Sequence, residues 1–296
     1  MDFARALWLR VETIHAVTYF GAETTDAATR LGLPGFWFSY FGFRAAPLGR
    51  VEGGVVEATF FNFAPSFVRR WVPQIWDLAE PETLIETRRV AAVETLRRIC
   101  PDVARVAEIV EPVLRDAVER GIAAGRPLFA SNKQLMLPGD PVERLWQLCT
   151  TLREHRGDGH VAALTSAGLD GLEAHVLIAA EQGTPVDDLQ RTRGWTADDW
   201  HDAVVRCTRR ALLTGPGALS DRGRELRNAI EMRTNELAAA PFDTLDKSKR
   251  AGLIETLDPL ARAIAVSGTI RYPNPMGLPM IPARRTRSLR SDAVRH

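Results

Sequence analysis

The chain has 296 residues, of which 45% are hydrophobic and 25% charged, with a formal net charge of +1. That length suits two domains of ordinary size, and near-neutrality excludes an overall field that would favour nucleic acid or an anionic membrane. Cys100, Cys149 and Cys207 are odd in number and lack a C-x-x-C pair, which argues against a disulfide framework or a cysteine zinc site. No apolar run reaches the ~18 residues of a membrane span, and the opening M-D-F-A-R-A-L-W lacks the order of a signal peptide. The expectation is a reducing, cytoplasmic compartment with no membrane partner.

Helical periodicity dominates from the start. Over residues 2–19, Phe3, Leu7, Trp8, Val11, Ile14, His15 and Thr18 recur at spacings of three and four. Residues 35–46 are aromatic-rich. Residues 55–63, V-V-E-A-T-F-F-N-F, suit either strand or helix, and a repeat described below favours helix. Residues 81–98 and 101–123 form amphipathic helices. Residues 130–140 hold Asn132, Pro138 and Gly139 and read as a linker. Asp140 then caps a helix with Pro141 at its first position, continuing to Ala167. After residue 268 the prolines and arginines predict an extended arm and a basic tail over 269–296.

The two halves share an order of elements. G-V-V-E-A-T-F-F (54–61) lies over G-L-E-A-H-V-L (171–177), and in each half a short segment, a charged helix and a long amphipathic helix follow. The second half is the clearer. L-D-G-L-E-A-H-V-L-I-A-A, T-P-V-D-D-L-Q-R and W-T-A-D-D-W-H-D-A-V-V-R-C-T-R-R-A-L-L read as three helices. The turn T-G-P-G leads to L-S-D-R-G-R (219–224) and another long helix.

This second half resembles the winged helix-turn-helix of the MarR kind, in which a hairpin wing leads to an L-T/S-x-x-G-R motif opening a long dimerisation helix. The resemblance covers 141–265 well and 1–125 weakly. It implies a mainly α fold built by tandem duplication of a MarR-like winged-helix unit, forming an intramolecular pseudo-dimer. The chain is also similar to bacterial tandem MarR-like proteins that share R-A-A-P-L-G (44–49) and E-H-R-G-D-G-H (154–160). The units would be a degenerate N-terminal winged-helix-like domain over 1–130 and a MarR-like domain over 141–268, followed by the arm.

DNA is disfavoured as a partner. A recognition helix lies close to phosphates and carries Arg, Lys, Asn, Gln or Ser near its N-terminus. Here it begins Thr196-Ala197-Asp198-Asp199 with Asp202 one turn on, and the equivalent first-half stretch has Glu80, Glu82 and Glu86. The bland reading is that these acids suit a helix start. Arg206, Arg209 and Arg210 lie where a capping role explains them, and the tail R-R-T-R-S-L-R would give nonspecific contacts.

R-E-H-R-G-D-G-H (153–160) interrupts an otherwise apolar helix. At 100° per residue, His155 and Gly159 fall on the stripe of Leu145, Leu148 and Leu152. Asp158 flanks it on one side, Arg156 and His160 on the other, while Arg153, Glu154 and Gly157 point outward. A histidine on a buried stripe needs a partner, and Asp158 is near enough. Two mid-helix glycines imply a packing or functional reason. The alternatives are a satisfied His–Asp pair at a helix crossing, a ligand or catalytic site, or a metal site; His155 and His160 diverge too far to share an ion. By the repeat, Arg44 falls near His160, so the two motifs face each other. The resemblance implies a small ligand near that interface, with an aromatic wall.

The expected ligand-binding residues are His155, Arg156, Asp158, His160, Arg44, Tyr40, Tyr19 and His15, with no metal and no identifiable cofactor. Two alternatives stand beside a small-molecule binder. One is an enzyme with His155 as general base oriented by Asp158; the other is a ligand-responsive DNA-binding regulator. Monomer and homodimer both fit an internal pseudo-dimer.

Overall fold

The computed structural model describes residues 2–281 apart from Pro216, Pro273 and Pro275. The basic tail lies outside the described residues. The fold is mainly helical. Its first part runs α1 (Phe3–Phe20), α2 (Ala22–Arg30), α3 (Phe36–Ala45), α4 (Gly53–Phe60), α5 (Pro65–Val68), α6 (Ile75–Leu78), α7 (Pro81–Ile99), α8 (Val103–Arg120) and α9 (Pro127–Lys133). The ambiguous run at 55–63 is thus helical in α4. The expected linker at 130–140 begins later, because α9 continues to Lys133 and buries Leu128, Phe129 and Asn132.

The second part opens with α10 (Pro141–Ser166), to which α11 (Gly171–Gln182) stands at 96°. There follow α12 (Val186–Arg193), α13 (Ala197–Arg209), a hairpin of β1 (Leu213–Gly215) and β2 (Ala218–Leu219), α14 (Asp221–Ala239) and α15 (Lys247–Val266). This is the order read from the sequence of the second half. Among the described residues, no strand lies between α7 and α8, where a first-half wing would fall.

Helix α10 organises the molecule. Its start is fixed by Asp140, whose carboxylate accepts the N–H groups of Val142 at 2.9 Å and Glu143 at 3.1 Å, with Pro141 inside the first turn. Gln147 apart, the run L-W-Q-L-C-T-T-L is apolar or small all round, the pattern of a helix buried on every side. Accordingly α10 packs against α1, α7, α8, α9 and α14. Leu145, Trp146, Leu148 and Cys149 join a core shared with α1, α7, α8 and α15, which also takes in Ile270 and Leu278 of the arm. A second, aromatic core gathers Phe41, Phe43, Phe60, Phe63 and Phe67. A third lies in α11–α14 and the hairpin.

The S-D-R-G-R segment has a mechanical explanation. Ser220 caps α14 by accepting the Gly223 N–H at 2.9 Å and donates its own hydroxyl to Ala211 O at 2.6 Å. A Cβ on Gly223 would stand 2.2 Å from Leu212 O, so only glycine lets the helix start against the hairpin. No single helix among the described residues is long and apolar enough to cross a membrane.

Candidate functional site

The charged motif on α10 is divided by its neighbours into three environments. Towards α1 and α3 lies a buried ion network. Arg44 Nε donates to Glu154 Oε1 at 3.1 Å and its Nη2 to Oε2 at 3.2 Å, a bidentate pair. Arg153 Nη1 donates to Glu154 at 2.9 Å, and Arg153 Nε to Glu12 at 3.1 Å. Glu12 also accepts from Trp8 Nε1 at 3.1 Å. Burial alone would push the Glu154 carboxyl up, but Arg153 and Arg44 together hold it well below the usual carboxylate range.

Two sequence expectations change here. Glu154, read as outward-facing, is only 1% exposed; the wheel treated the far side of α10 as solvent, whereas α1 and α3 cover it. Arg44 does meet the motif, but through Glu154 rather than near His160. Around this pair stand the residues expected to form a ligand wall. Arg44 Nη1 reaches Tyr40 Oη at 3.4 Å, and the Tyr40 and Tyr19 rings lie 4.9 Å apart. His15 bridges Tyr19 Oη and Thr150 Oγ1, each at 3.0 Å, and burial, then Arg153, pulls its pKa well below the ordinary value. It is a neutral, satisfied core histidine.

The second environment faces α14. Arg156 donates to Glu231 at 3.2 Å and Asn235 at 3.3 Å and lies over the Trp8 ring, while His160 Nδ1 meets Thr234 Oγ1 at 2.9 Å. These contacts dock α14 onto α10.

The third environment holds His155, Asp158 and Gly159. No hydrogen bond joins His155 to Asp158, so the expected pair, and with it a histidine base oriented by that carboxylate, does not form. The Asp158 carboxylate instead accepts the Phe129 N–H at 2.9 Å, because α9 presents its first turn there. His155 stands edge-on to the Phe129 ring, with centroids 4.8 Å apart. Burial, then Arg126 and Lys133, pulls its pKa down to about 4. Burial, then repulsion from Glu154, pushes the Asp158 carboxyl up to about 7 against the pull of the Phe129 amide.

Asp158 and Gly159 line a solvent-open cleft of about 480 Å³ between α10, α14 and the turn that carries Arg126. Ala162, Ala163, Ile230 and Leu237 make its apolar walls. The nearest atom to a Cβ built on Gly159 is Leu237 Cβ at 3.5 Å, with Arg126 Nη2 at 4.0 Å. Gly159 is therefore not required by a tight helix crossing. Of the eight expected site residues, only Asp158 lines this cleft. Arg126, which sequence reasoning missed, faces it from a turn with no motif of its own; its one signal was a cation two residues before a buried Leu-Phe pair. Among the described residues no group of His, Cys, Asp or Glu side chains could hold a metal.

The surface of α12 and α13 is acidic and partly occupied. Thr196 and Asp199 form a reciprocal capping box at the start of α13, while Asp198 and Asp202 are exposed. Arg206 pairs with Asp170 and Glu173, and Arg210 donates to Gly168 O at 2.6 Å and Ala167 O at 3.0 Å. Arg210 thus caps the end of α10 rather than its own helix. The turn between α12 and α13 is docked on the first half. Trp195 Nε1 donates to Asn62 O at 3.1 Å and Ala64 N–H to Arg193 O at 2.9 Å. Gly194, at φ +78°, lies so close to Phe67 that a Cβ would stand 2.3 Å from it.

No curated protein and no solved structure is significantly similar to the chain. A family model does match it, over residues 4–271, and that span takes in α11–α13, the hairpin and the helices that pack on them. By that match the chain belongs to a helix-turn-helix family.

Proposed function

We propose that this helix-turn-helix protein binds a small molecule in the cleft between α10, α14 and the Arg126 turn. The observation that carries the reading is the cleft's lining. Arg126 comes from the half spanning 1–130, and Asp158, Gly159, Ile230 and Leu237 come from the half spanning 141–268. Its volume falls within the several hundred Å³ typical of small-molecule pockets, and apolar walls with a few polar groups are what such sites need. The reading goes with a tandem origin: two winged-helix units in one chain, the first without its wing, paired as an internal pseudo-dimer. Arg44, Tyr40, Tyr19 and His15 then serve as the rigid backing of the site, and Arg156 and His160 hold α14 in place. The test is Ala162→Trp, which places an indole in the cleft from an exposed position. Small molecules released from denatured wild-type protein and identified by mass spectrometry should be missing from the variant. Identical contents in the two proteins would sink the proposal.

A second reading, a DNA-binding regulator, is favoured by the family. Against it stand the carboxylates at the start of α13 and the docking of the α12–α13 turn on Phe67. A gel shift with the protein's own upstream DNA discriminates. Sequence-selective binding released by a cleft ligand supports the regulator; weak binding that fades uniformly with salt supports the binder alone.

A further inference from the structure

We infer that the segment Phe61–Ala64 is a strained latch. With it the half spanning 1–130 holds α11 and the α12–α13 turn, and its release is a motion built into the fold. The inference is independent of the cleft reading above. Its first support is the backbone of Phe61. Two non-glycine residues among the described ones take a positive φ, Ala211 at +55° and Phe61 at +62°. Ala211 is the ordinary case. It follows the end of α13, where its N–H bonds to Thr208 O and that of Leu212 to Cys207 O. That bond pattern favours a left-handed residue. Phe61 is different. Its ψ of −45° lies outside the left-handed helical region, and the Asn62 N–H reaches back to Phe60 O at 2.6 Å. The result is a γ-turn of the rare, strained hand.

The local sequence does not ask for this turn. Glycine and asparagine adopt a positive φ at least cost. F-F-N-F (60–63) instead puts a bulky ring there, with the asparagine one place on. What the turn achieves is a change of core. Phe60 and Phe63 are buried in the aromatic core of the first half, while Phe61 packs against the third core. Adjacent rings thus enter different halves.

The contacts that fix the turn come from the second half. Gly171, which opens α11, lies so close that a Cβ would stand 2.0 Å from Phe61 O. Trp195 Nε1 donates to Asn62 O at 3.1 Å, and Ala64 N–H to Arg193 O at 2.9 Å. The Arg193 guanidinium lies 4.8 Å from the centroid of the Phe63 ring, and Trp195 packs against both cores. A strained backbone persists only while its surroundings over-determine it. Undocking therefore relaxes Phe61, so this joint opens more readily than an unstrained contact of the same extent. Because α11–α13 make up the helix-turn-helix unit, the state of the latch decides whether that unit is held against the first half.

The experiment follows amide hydrogen exchange of the full chain by NMR. Ala64 N–H is the reporter, since its acceptor lies across the latch. It should exchange by local opening, well ahead of the amides of Leu145–Leu152 in α10, which report global unfolding. Phe61→Gly and Phe61→Ala both delete the ring, so their difference isolates the turn. Glycine takes a positive φ freely, so Phe61→Gly should protect Ala64 roughly tenfold more than Phe61→Ala. At an unstrained site the order reverses, because glycine has more backbone freedom to lose, and that order overturns the proposal. Trp195→Phe keeps a ring and removes the donor to Asn62 O. It should speed exchange at Ala64 about fivefold, the net worth of one hydrogen bond, and leave α10 unchanged. Gly171→Ala drives a methyl group against Phe61 O and should release Ala64 further still. If that variant fails to fold, the glycine–alanine comparison decides. Exchange of Ala64 at the rate of the α10 amides in every protein also overturns the proposal, since the joint then opens only with the whole chain.

Discussion

On the side of α10 that meets α1 and α3, Glu154 has the guanidinium groups of Arg44 and Arg153 within 3.1 Å. On the side that meets α9 and α14, Asp158 has the Phe129 amide, and Arg126 feels its charge without a hydrogen bond to it. The two carboxyls are one helical turn apart and comparably buried, at 1% and 5% exposure. Yet one is held well below the usual carboxylate range and the other is pushed up to about 7. Burial therefore does not decide their ionisation; the supply of counter-charge does. The first face is electrostatically complete and holds three helices together. The second gives Asp158 a single amide donor and leaves Arg126 half-exposed beside it, without a hydrogen bond between them.

Breaking the complete face should have the largest effect. Glu154→Gln leaves Arg44 and Arg153 buried against a neutral amide, and losing one partner of a buried pair costs about 3–5 kcal/mol. Urea unfolding at pH 7 measures it, and a loss below about 1 kcal/mol would refute the structural role. The acid limb gives an independent check. Because the folded pKa of Glu154 lies below the unfolded value of about 4.3, its contribution is fully present above that pH and is lost as pH falls below it. Glu154→Gln should lack that component of acid unfolding.

Asp158→Asn should move stability in the other direction. The unfolded carboxyl titrates near 3.9 and the folded one near 7, so wild-type folding is progressively weakened as pH rises between them and is level above. Each pH unit corresponds to about 1.4 kcal/mol, so the variant should gain on the order of 4 kcal/mol over wild type between pH 4 and pH 8. His155, with a folded pKa of about 4, acts in the opposite sense below pH 6.5, and the difference between the two proteins cancels it. Parallel stability curves would remove the unpaired acid from the comparison.

These two residues also mark how far the sequence could be read. The helices, the Asp140 cap, the hairpin and the S-D-R-G-R helix start are set by local chemistry, and local patterns revealed them. The wheel placed Gly159 on the buried stripe and Asp158 beside it, and both line the cleft. It misplaced Glu154 because it assigned one face of α10 to water, although a helix as apolar as L-W-Q-L-C-T-T-L has no such face. Arg44 was matched to the correct motif but to the wrong residue, since a repeat alignment carries no side-chain reach. Arg153, read as outward-facing with Glu154, was misplaced by the same wheel, whereas Glu12 and Arg126 were out of sight for a different reason. Each acquires its role from a segment more than thirty positions away, and one sequence holds no record of which distant segments meet.

The smallest expected effects separate the two glycines of the motif. A Cβ on Gly157 would lie 3.5 Å from Glu154 Oε2 and 3.7 Å from Arg153 Nη1, on the complete face. A Cβ on Gly159 would lie 3.5 Å from Leu237 Cβ and 4.0 Å from Arg126 Nη2, in the cleft. All four distances are ordinary contacts, so alanine fits at both positions and should stabilise the helix by about 0.5–1 kcal/mol through propensity alone. Thermal melts of Gly157→Ala and Gly159→Ala should therefore rise together. The small molecules released from the two denatured variants should not match, because the second methyl occupies cleft space between Arg126 and Leu237. A glycine kept on a helix at a cost in stability, without a clash to require it, is explained on the cleft side by what binds there. Unaltered small-molecule contents in Gly159→Ala would leave that glycine, like Gly157, with no account beyond the helix itself.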